Sequence, residues 1–109
     1  MAVNSLTSRA YLTNETSGPS TVGVVNLLDF RPVAKVATGN NPFGVAVDIF
    51  SNLIFVTNLG DQTVAVIDGK TNAKIASLSA SSSAIDVNPV SRLIYTSDPA
   101  DGLVHVISE

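Results

Sequence analysis

Residues 42–68, PFGVAVDIFSNLIFVTNLGDQTVAVID, and residues 82–108, SSAIDVNPVSRLIYTSDPADGLVHVIS, align without a gap at an offset of 40. Eight of the aligned positions are identical, and many others are conservative. A third copy lies upstream at an offset of 44, where YLTN at 11–14 falls over FVTN at 55–58. A fixed period in this range is typical of a solenoid, a propeller or another repeat array.

The middle copy predicts four short strands, at 44–48, 53–58, 63–68 and 74–78, separated by turns rich in Gly, Asn, Asp and Ser. The 15 Val, 7 Ile and 9 Thr among 109 residues favour an all-β chain, because β-branched side chains pack well on a pleated sheet. Short links between neighbouring strands indicate an antiparallel meander. The second and third strands are apolar at nearly every residue, which predicts that both sheet faces are covered.

Four-stranded meanders that recur every 40 residues and are covered on both faces describe the blades of a β-propeller. The predicted fold is therefore one repeat domain made of three consecutive blades, at 1–39, 40–80 and 81–109. The first copy begins inside its first strand and the third stops after its third strand, so we expect both to be clipped.

The strand endings YLTN at 11–14, FVTN at 55–58 and, more loosely, YTSD at 95–98 resemble the YVTN-type β-propeller repeat. The flanking stretches NPFGVAVD at 41–48 and VAVID at 64–68 are similar to the rest of that repeat. The third copy departs from the pattern in its loops, with Ser82 in place of Pro42 and with Pro99 after the second strand. The resemblance implies a prokaryotic extracytoplasmic or cell-surface location, and it implies no single activity.

Three blades are fewer than the four to eight that close a propeller, so an isolated arc leaves one face of each terminal blade open. We therefore expect either a homodimer, in which two three-blade arcs make a six-blade ring, or a place within a longer propeller. Two-fold symmetry would make both junctions of the dimer equivalent, which favours that alternative. The sequence predicts no signal peptide, since its first residues lack a basic and an apolar region.

Composition excludes several function classes. The net charge of −3 and six scattered basic residues argue against binding to nucleic acid. No apolar stretch approaches 18 residues, so no membrane span is predicted. Cysteine is absent and there is one histidine, so we expect no catalytic residues, no metal site and no cofactor.

The candidate binding residues are acidic or amide side chains near the strand ends. The loops between second and third strands hold acidic residues and no Lys or Arg, which suggests a cation-binding or basic-ligand-binding rim around the channel. The plainer interpretation is that Asp and Asn favour turns. Asp86 replaces an alanine of the innermost strand. It either lines the channel and binds a ligand or ion there, or is simply solvated by channel water. The predicted ligand-binding set is Asn58, Asp61, Asp86, Asp98 and Asp101.

His105 replaces Ala65 in the third strand and has no second histidine to support a metal or base role, so packing between blades explains it better. The sequence therefore favours a non-enzymatic interaction scaffold of unknown ligand. The alternatives are a subunit or fragment of a propeller enzyme with a site at the channel mouth, and a structural piece of a larger cell-surface protein.

Overall fold

A computed structural model describes residues 1–14, 19–79, 83–98 and 102–109, and within them the chain consists of strands and turns. The strands of the first repeat are β1 (Ala2–Asn4), β2 (Arg9–Thr13), β3 (Pro19–Asn26) and β4 (Arg31–Asn40). Those of the second are β5 (Pro42–Asp48), β6 (Leu53–Asn58), β7 (Thr63–Asp68) and β8 (Ala73–Ser79). The third repeat contributes β9 (Ile85–Asn88), β10 (Leu93–Asp98) and β11 (Leu103–Ser108).

Each repeat forms its own antiparallel sheet, with strand orders β1-β2-β3-β4 in sheet 1, β5-β6-β7-β8 in sheet 2 and β9-β10-β11 in sheet 3. The four strands predicted for the middle copy are confirmed, and the outer two extend slightly further than expected. As expected, sheet 1 begins with a strand of only three residues and sheet 3 has no fourth strand among the described residues. The described part of the chain holds no helix suited to crossing a bilayer.

The turn before each second strand is built in the same way in all three repeats. Ser8, Asn52 and Arg92 occupy this place with φ of 55°, 58° and 58°, a left-handed conformation that costs non-glycine residues energy. Asn or Asp at the end of the preceding strand offsets that cost by accepting a bond from an amide two residues on. Asp48 Oδ1, for example, accepts from the amide of Phe50 at 2.9 Å. The acidic residues at this end of the sheets therefore have a turn-forming role.

The sheets stack face to face, and the two faces of each sheet differ in their residues. We define the front face as the one that carries Tyr11 in sheet 1, Phe55 in sheet 2 and Tyr95 in sheet 3. The back face carries Ala10, Ile54 and Ile94, which alternate with those aromatic residues along the second strands.

The first junction packs the front of sheet 1 against the back of sheet 2. Tyr11, Val22 and Val24 are almost completely buried there. Their neighbours in the same core are Val36 of sheet 1 and Ile54, Val56, Ala65 and Ile67 of sheet 2. These side chains are apolar apart from the Tyr11 hydroxyl, which is buried without a hydrogen-bond partner among the described residues. The core of the junction therefore buries mainly apolar surface.

The second junction packs the front of sheet 2 against the back of sheet 3. Phe55, Val64 and Val66 meet Ile94 in its core, with Val87 and Ile107 packed around them. Sheet 2 is thus covered on both faces, which confirms the expectation from its continuous apolar strands. The first strands of the three sheets adjoin one another, with β5 between β1 and β9.

Candidate functional site

Asn58 and Asp61 lie together where β6 turns into β7, beside the end of β4 in the preceding sheet. Asp61 Oδ2 accepts a bond from the backbone amide of Asn40 at 2.8 Å, and its Oδ1 accepts from the Asn40 side chain at 2.6 Å. Asn58 is fully buried, and its Nδ2 donates to the carbonyl of Thr38 at 3.3 Å. Both of these predicted ligand-binding residues therefore form hydrogen bonds with the neighbouring sheet.

Gly39 explains why these contacts are so close. A Cβ atom on Gly39 would lie 2.6 Å from Asp61 Oδ2 and 2.9 Å from Asn58 Cγ. Only glycine therefore lets the end of β4 and the turn after β6 approach this closely. Asn58 Oδ1 and Thr38 Oγ1 are buried here without a hydrogen-bond partner among the described residues. The geometry favours an interlock between sheets 1 and 2, a role distinct from the turn-forming one expected for Asp and Asn; ligand binding by these residues stays a prediction.

Asp98 and His105 share the back face of sheet 3. Asp98 ends β10 at the repeat position of Asn58, and it is 7% exposed. His105 Nε2 lies 4.0 Å from Asp98 Oδ2, and the His105 side chain is partly exposed. His105 therefore lies beside a carboxylate on the face that packs against sheet 2.

Asp86 lies on the opposite, front face of sheet 3, directly across from Tyr95. It is exposed, and its Oδ1 accepts a bond from the adjacent Val87 amide at 2.8 Å. It borders an open concavity of 190 Å³ together with Tyr95, Ser97 and Val104. Asp86 and His105 therefore lie on opposite faces of sheet 3.

The predicted set is therefore dispersed. The structure brings Asn58 and Asp61 together, whereas Asp98 and Asp86 lie on two faces of another sheet; Asp101 lies outside the described residues. Nowhere in residues 1–14, 19–79, 83–98 and 102–109 do three His, Asp or Glu side chains converge as a metal site requires.

A cluster that sequence reasoning missed joins Asp48 to Glu109, at the end of the second junction. Ser51 Oγ donates to Glu109 Oε1 at 3.2 Å. Burial and the neighbouring Asp48 carboxylate raise the pKa of Glu109 to about 6. Burial also acts to raise the pKa of Asp48, but hydrogen bonds from the Glu109 carboxyl and the Ser51 and Phe50 amides outweigh it and lower that pKa. The Glu109 carboxyl is therefore the one of the two that takes up a proton at mildly acidic pH.

The open faces of the two terminal sheets were expected from the number of blades, but the sequence analysis did not name the residues that form them. On the front of sheet 3, Tyr95, Val104 and Val106 are 37%, 66% and 56% exposed. On the back of sheet 1, Val3 and Leu12 are 44% and 38% exposed. The repeat offset could have identified them, because their counterparts in sheet 2 are buried.

We compared the chain with known proteins. No family model and no curated protein sequence matches it. Among solved structures, a chain of Kuenenia stuttgartiensis hydrazine synthase superposes with a TM-score of 0.85 at 19% identity, over 98% of this chain and 31% of that one. The β-propeller domain of Cps50 (Swd1) from Myceliophteria thermophila superposes with a TM-score of 0.70 at 8% identity, over 96% of this chain and 36% of that one.

These likenesses establish the fold. The chain spans about a third of the length of both structures, and the second of them is a propeller domain. Together with the three stacked antiparallel sheets, they identify the chain as a partial β-propeller of three successive blades.

Proposed function

We propose that this chain is a non-enzymatic interaction scaffold that closes a propeller ring by docking onto a second copy of itself. The front of sheet 3 in one copy packs on the back of sheet 1 in the other, and the reciprocal contact completes six blades. The observation that carries the proposal is the match between these open faces and the two sides of the buried junctions.

The open front face repeats the residues that form the junctions inside the chain. Tyr95, Val104 and Val106 of sheet 3 stand where Phe55, Val64 and Val66 stand in sheet 2. The sheet 2 residues are 2%, 0% and 7% exposed because sheet 3 covers them. The apolar pattern is the same apart from Asp86, which stands on this face where sheet 2 has Ala46. Left open, it indicates a face that is complementary to the back of another blade.

The open back face is complementary in the same sense. Ala10, Leu12 and Val25 of sheet 1 correspond to Ile54, Val56 and Ile67, which face the preceding blade in sheet 2. In the first junction Tyr11 packs in one core with Ile54 and Ile67, so a tyrosine fits a face of this kind. Docking of one face on the other would bury apolar surface on both.

A repeated hydrogen bond supports the same pairing. Thr13 Oγ1 donates to the carbonyl of Phe43 at 3.2 Å, and Thr57 Oγ1 donates to the carbonyl of Ser83 at 2.6 Å. Both bonds join the end of a second strand to the chain entering the next blade. Ser97 holds the matching position on the front of sheet 3, where a further blade would offer it an equivalent carbonyl.

The area is sufficient for a dimer. Four strands about 4.8 Å apart, with about five residues each, cover roughly 300 Å² per face. Two reciprocal junctions bury two such faces of sheet 1 and two faces of sheet 3 with three described strands each, or about 1,100 Å² in total, which exceeds the roughly 1,000 Å² that a specific interface needs. A dimer with a single junction would bury about half of that area, so a closed ring with both junctions is the more stable arrangement.

We further propose that the repeat is of the YVTN type, on the strength of the strand endings at 11–14, 55–58 and 95–98. An enzymatic role is the alternative, since one structural neighbour carries the name of an enzyme. The separation of Asp86 from Asp98 and His105 on two faces of sheet 3 supports the scaffold instead.

The solution mass tests the proposal. We expect sedimentation at micromolar concentration to give twice the monomer mass of 11.3 kDa. Val106→Asp on the front of sheet 3 and Leu12→Asp on the back of sheet 1 should each give monomers, because a buried unpaired charge opposes docking. Val90→Asp is the matched control, since Val90 is 83% exposed in a turn, and it should remain dimeric.

Mixing the two variants distinguishes head-to-tail docking from other dimers. A mixture of Val106→Asp and Leu12→Asp chains retains one intact junction, so part of the dimer should return. A monomeric parent chain at high concentration would refute the ring. A dimer that persists in each of the two single variants would also refute it. A parent dimer lost in each variant but not restored on mixing would refute the head-to-tail arrangement.

A further inference from the structure

A cavity opens between sheets 2 and 3 at the turn end of the second junction. Its volume is 230 Å³, and it is lined by Asp48, Phe50, Ser51, Pro89 and Arg92. These residues belong to the turn that leads into β6 and to the equivalent turn that leads into β10. The cavity therefore lies within one chain, away from the open faces of sheets 1 and 3 that we propose for ring closure.

The first junction shows how the same place is closed by a different pair of side chains. Asn4 and Asn52 hold the positions of Asp48 and Arg92 there, and Asn4 Nδ2 donates to Asn52 Oδ1 at 3.0 Å. In the second junction the two side chains carry opposite charges. Even so, neither a hydrogen bond nor an ion pair joins the Arg92 guanidinium to Asp48 or to another described residue. A carboxylate and a guanidinium thus line one cavity without meeting.

Asp48 has a buried oxygen that lacks a donor at neutral pH. Asp48 is fully buried, and its Oδ1 accepts from the amides of Phe50 and Ser51 at 2.9 and 3.2 Å. Its Oδ2 is buried without a hydrogen-bond partner among the described residues. The Glu109 carboxyl donates to Asp48 only while protonated, and with a pKa of about 6 it is ionised at neutral pH. Because an unpaired buried carboxylate oxygen is costly, this place favours a bound cationic donor.

We propose that this cavity binds a free α-amino acid with an apolar side chain. The ammonium group of the amino acid donates to Asp48 Oδ2, and its carboxylate accepts from the Arg92 guanidinium, whose forked donors match a carboxylate. The apolar side chain packs on Phe50, which is 66% exposed in the absence of a ligand, and on Pro89.

The size and the charges of the cavity together specify this class of ligand. Pockets for drug-sized molecules have volumes of about 300 to 1,000 Å³, so a cavity of 230 Å³ fits a single amino acid better than a nucleotide or a peptide. A ligand with one charge leaves either Asp48 or Arg92 unpaired. A zwitterion pairs both, and the guanidinium disfavours a metal ion in the same cavity.

Titration of the full chain followed by NMR tests the site. The probes are L-leucine and two analogues that each lack one of its charges, 3-methylbutylamine and 4-methylpentanoate, at about pH 7.5, where Glu109 is ionised. We expect saturable shifts with L-leucine, confined to residues 48–52 and 88–92. Both analogues should bind at least about tenfold more weakly, because each leaves one charge of the cavity unpaired.

Two substitutions give the second junction the side chains of the first. Asp48→Asn keeps the oxygen that caps the turn, as Asn88 does in the next turn. Arg92→Asn introduces the residue that Asn52 supplies at the same positive φ. Each substitution should weaken binding of L-leucine at least about tenfold, because one charged partner is lost. The double variant should remain folded and lose binding altogether.

Matched controls remove the same charges elsewhere at the same end of the sheets. Asp68 caps the turn after β7, and Arg31 begins β4; neither lines the cavity. Asp68→Asn and Arg31→Asn should therefore bind L-leucine as the parent chain does. Val106→Asp, which tests ring closure, should also bind as the parent does, so failure of the ring and failure of this site are separate results.

Three results would overturn the inference. The first is the absence of saturable L-leucine shifts at millimolar concentration, and the second is equal binding of L-leucine and its two analogues. The third is binding that persists unchanged in both Asp48→Asn and Arg92→Asn.

Discussion

The two junctions have the same architecture but differ in the side chains that fill them. In the first, Val56 and Ala65 of sheet 2 face sheet 1, and both are fully buried. In the second, the same repeat positions hold Thr96 and His105 of sheet 3. At these two positions the first junction holds apolar side chains, whereas the second holds a hydroxyl and an imidazole.

The junctions also differ at the turn end of the sheets. At the first, Asn4 Nδ2 donates to Asn52 Oδ1 at 3.0 Å, which is a neutral amide pair. At the second, the corresponding residues are Asp48 and Arg92, with Glu109 beside them. The comparison teaches that one repeat can keep its backbone while its junctions differ in strength; we expect the second to be the weaker.

Core truncation should break the comparison most strongly. Ile54→Ala and Ile94→Ala remove the same side chain at equivalent, fully buried positions of the two junctions. We expect Ile54→Ala to lower the free energy of unfolding by about 4 kcal/mol and Ile94→Ala by about 2–3 kcal/mol, because fewer apolar neighbours surround the second cavity. Urea unfolding measures both; equal losses would contradict the ranking of the junctions.

The next largest effect should come from the hydrogen bonds of Asp61, which stabilise only the first junction. Asp61→Ala removes both bonds to Asn40, and we expect a loss of about 1.5 kcal/mol, since bonds to a charged acceptor at a partly solvated site are of moderate strength. Asp61→Asn retains one accepting oxygen and should lose about half as much. Thermal unfolding of the two variants checks this, and an unchanged midpoint for Asp61→Ala would refute the interlock.

Replacing a polar residue of the second junction by its apolar counterpart from the first should stabilise the chain. Thr96 is buried, and its Oγ1 has no hydrogen-bond partner among the described residues. Thr96→Val restores the residue type of Val56 and should raise the free energy of unfolding by about 1 kcal/mol, because it removes an unsatisfied hydroxyl at nearly constant volume. Val56→Thr is the reverse control and should destabilise the first junction by a similar or larger amount.

The smallest effect concerns pH and the second junction alone. The pKa of Glu109 rises from 4.5 to about 6 on folding, so its contribution is complete below pH 4.5 and is lost as pH rises through 6. Because Glu109 stays in contact with solvent, we expect about 1 kcal/mol at most. Asp48, with a lowered pKa, acts oppositely and loses its contribution as pH falls below 3.8.

Unfolding measured from pH 4 to 7 tests this prediction. The parent chain should lose stability between pH 4.5 and 6, and Glu109→Gln should lose less, since it has no carboxyl group to ionise. Asn4→Ala at the neutral first junction should leave the pH dependence unchanged while lowering stability at every pH. A parent profile flat across this range would refute the raised pKa of Glu109.

Much of the fold could be predicted from local signals in the sequence. The strands at 53–58 and 63–68 were recognisable from their apolar runs, because a buried strand needs apolar side chains on both faces. The candidate site was less predictable. Asp61 looked like a ligand because turn position and acidity are all that sequence displays, whereas its partner, Asn40, lies 21 residues away.

The sequence by itself determined the repeat, its strands and its turns, because each depends on side-chain periodicity and on turn residues within a few positions. Only the tertiary structure decided which faces are covered, that Asp86 and His105 are separated by a sheet, and that Asp48 meets Glu109. These depend on how one sheet packs on the next. The periodic sequence specifies nearly the same surface three times, so stacking alone distinguishes the buried Phe55 from the open Tyr95.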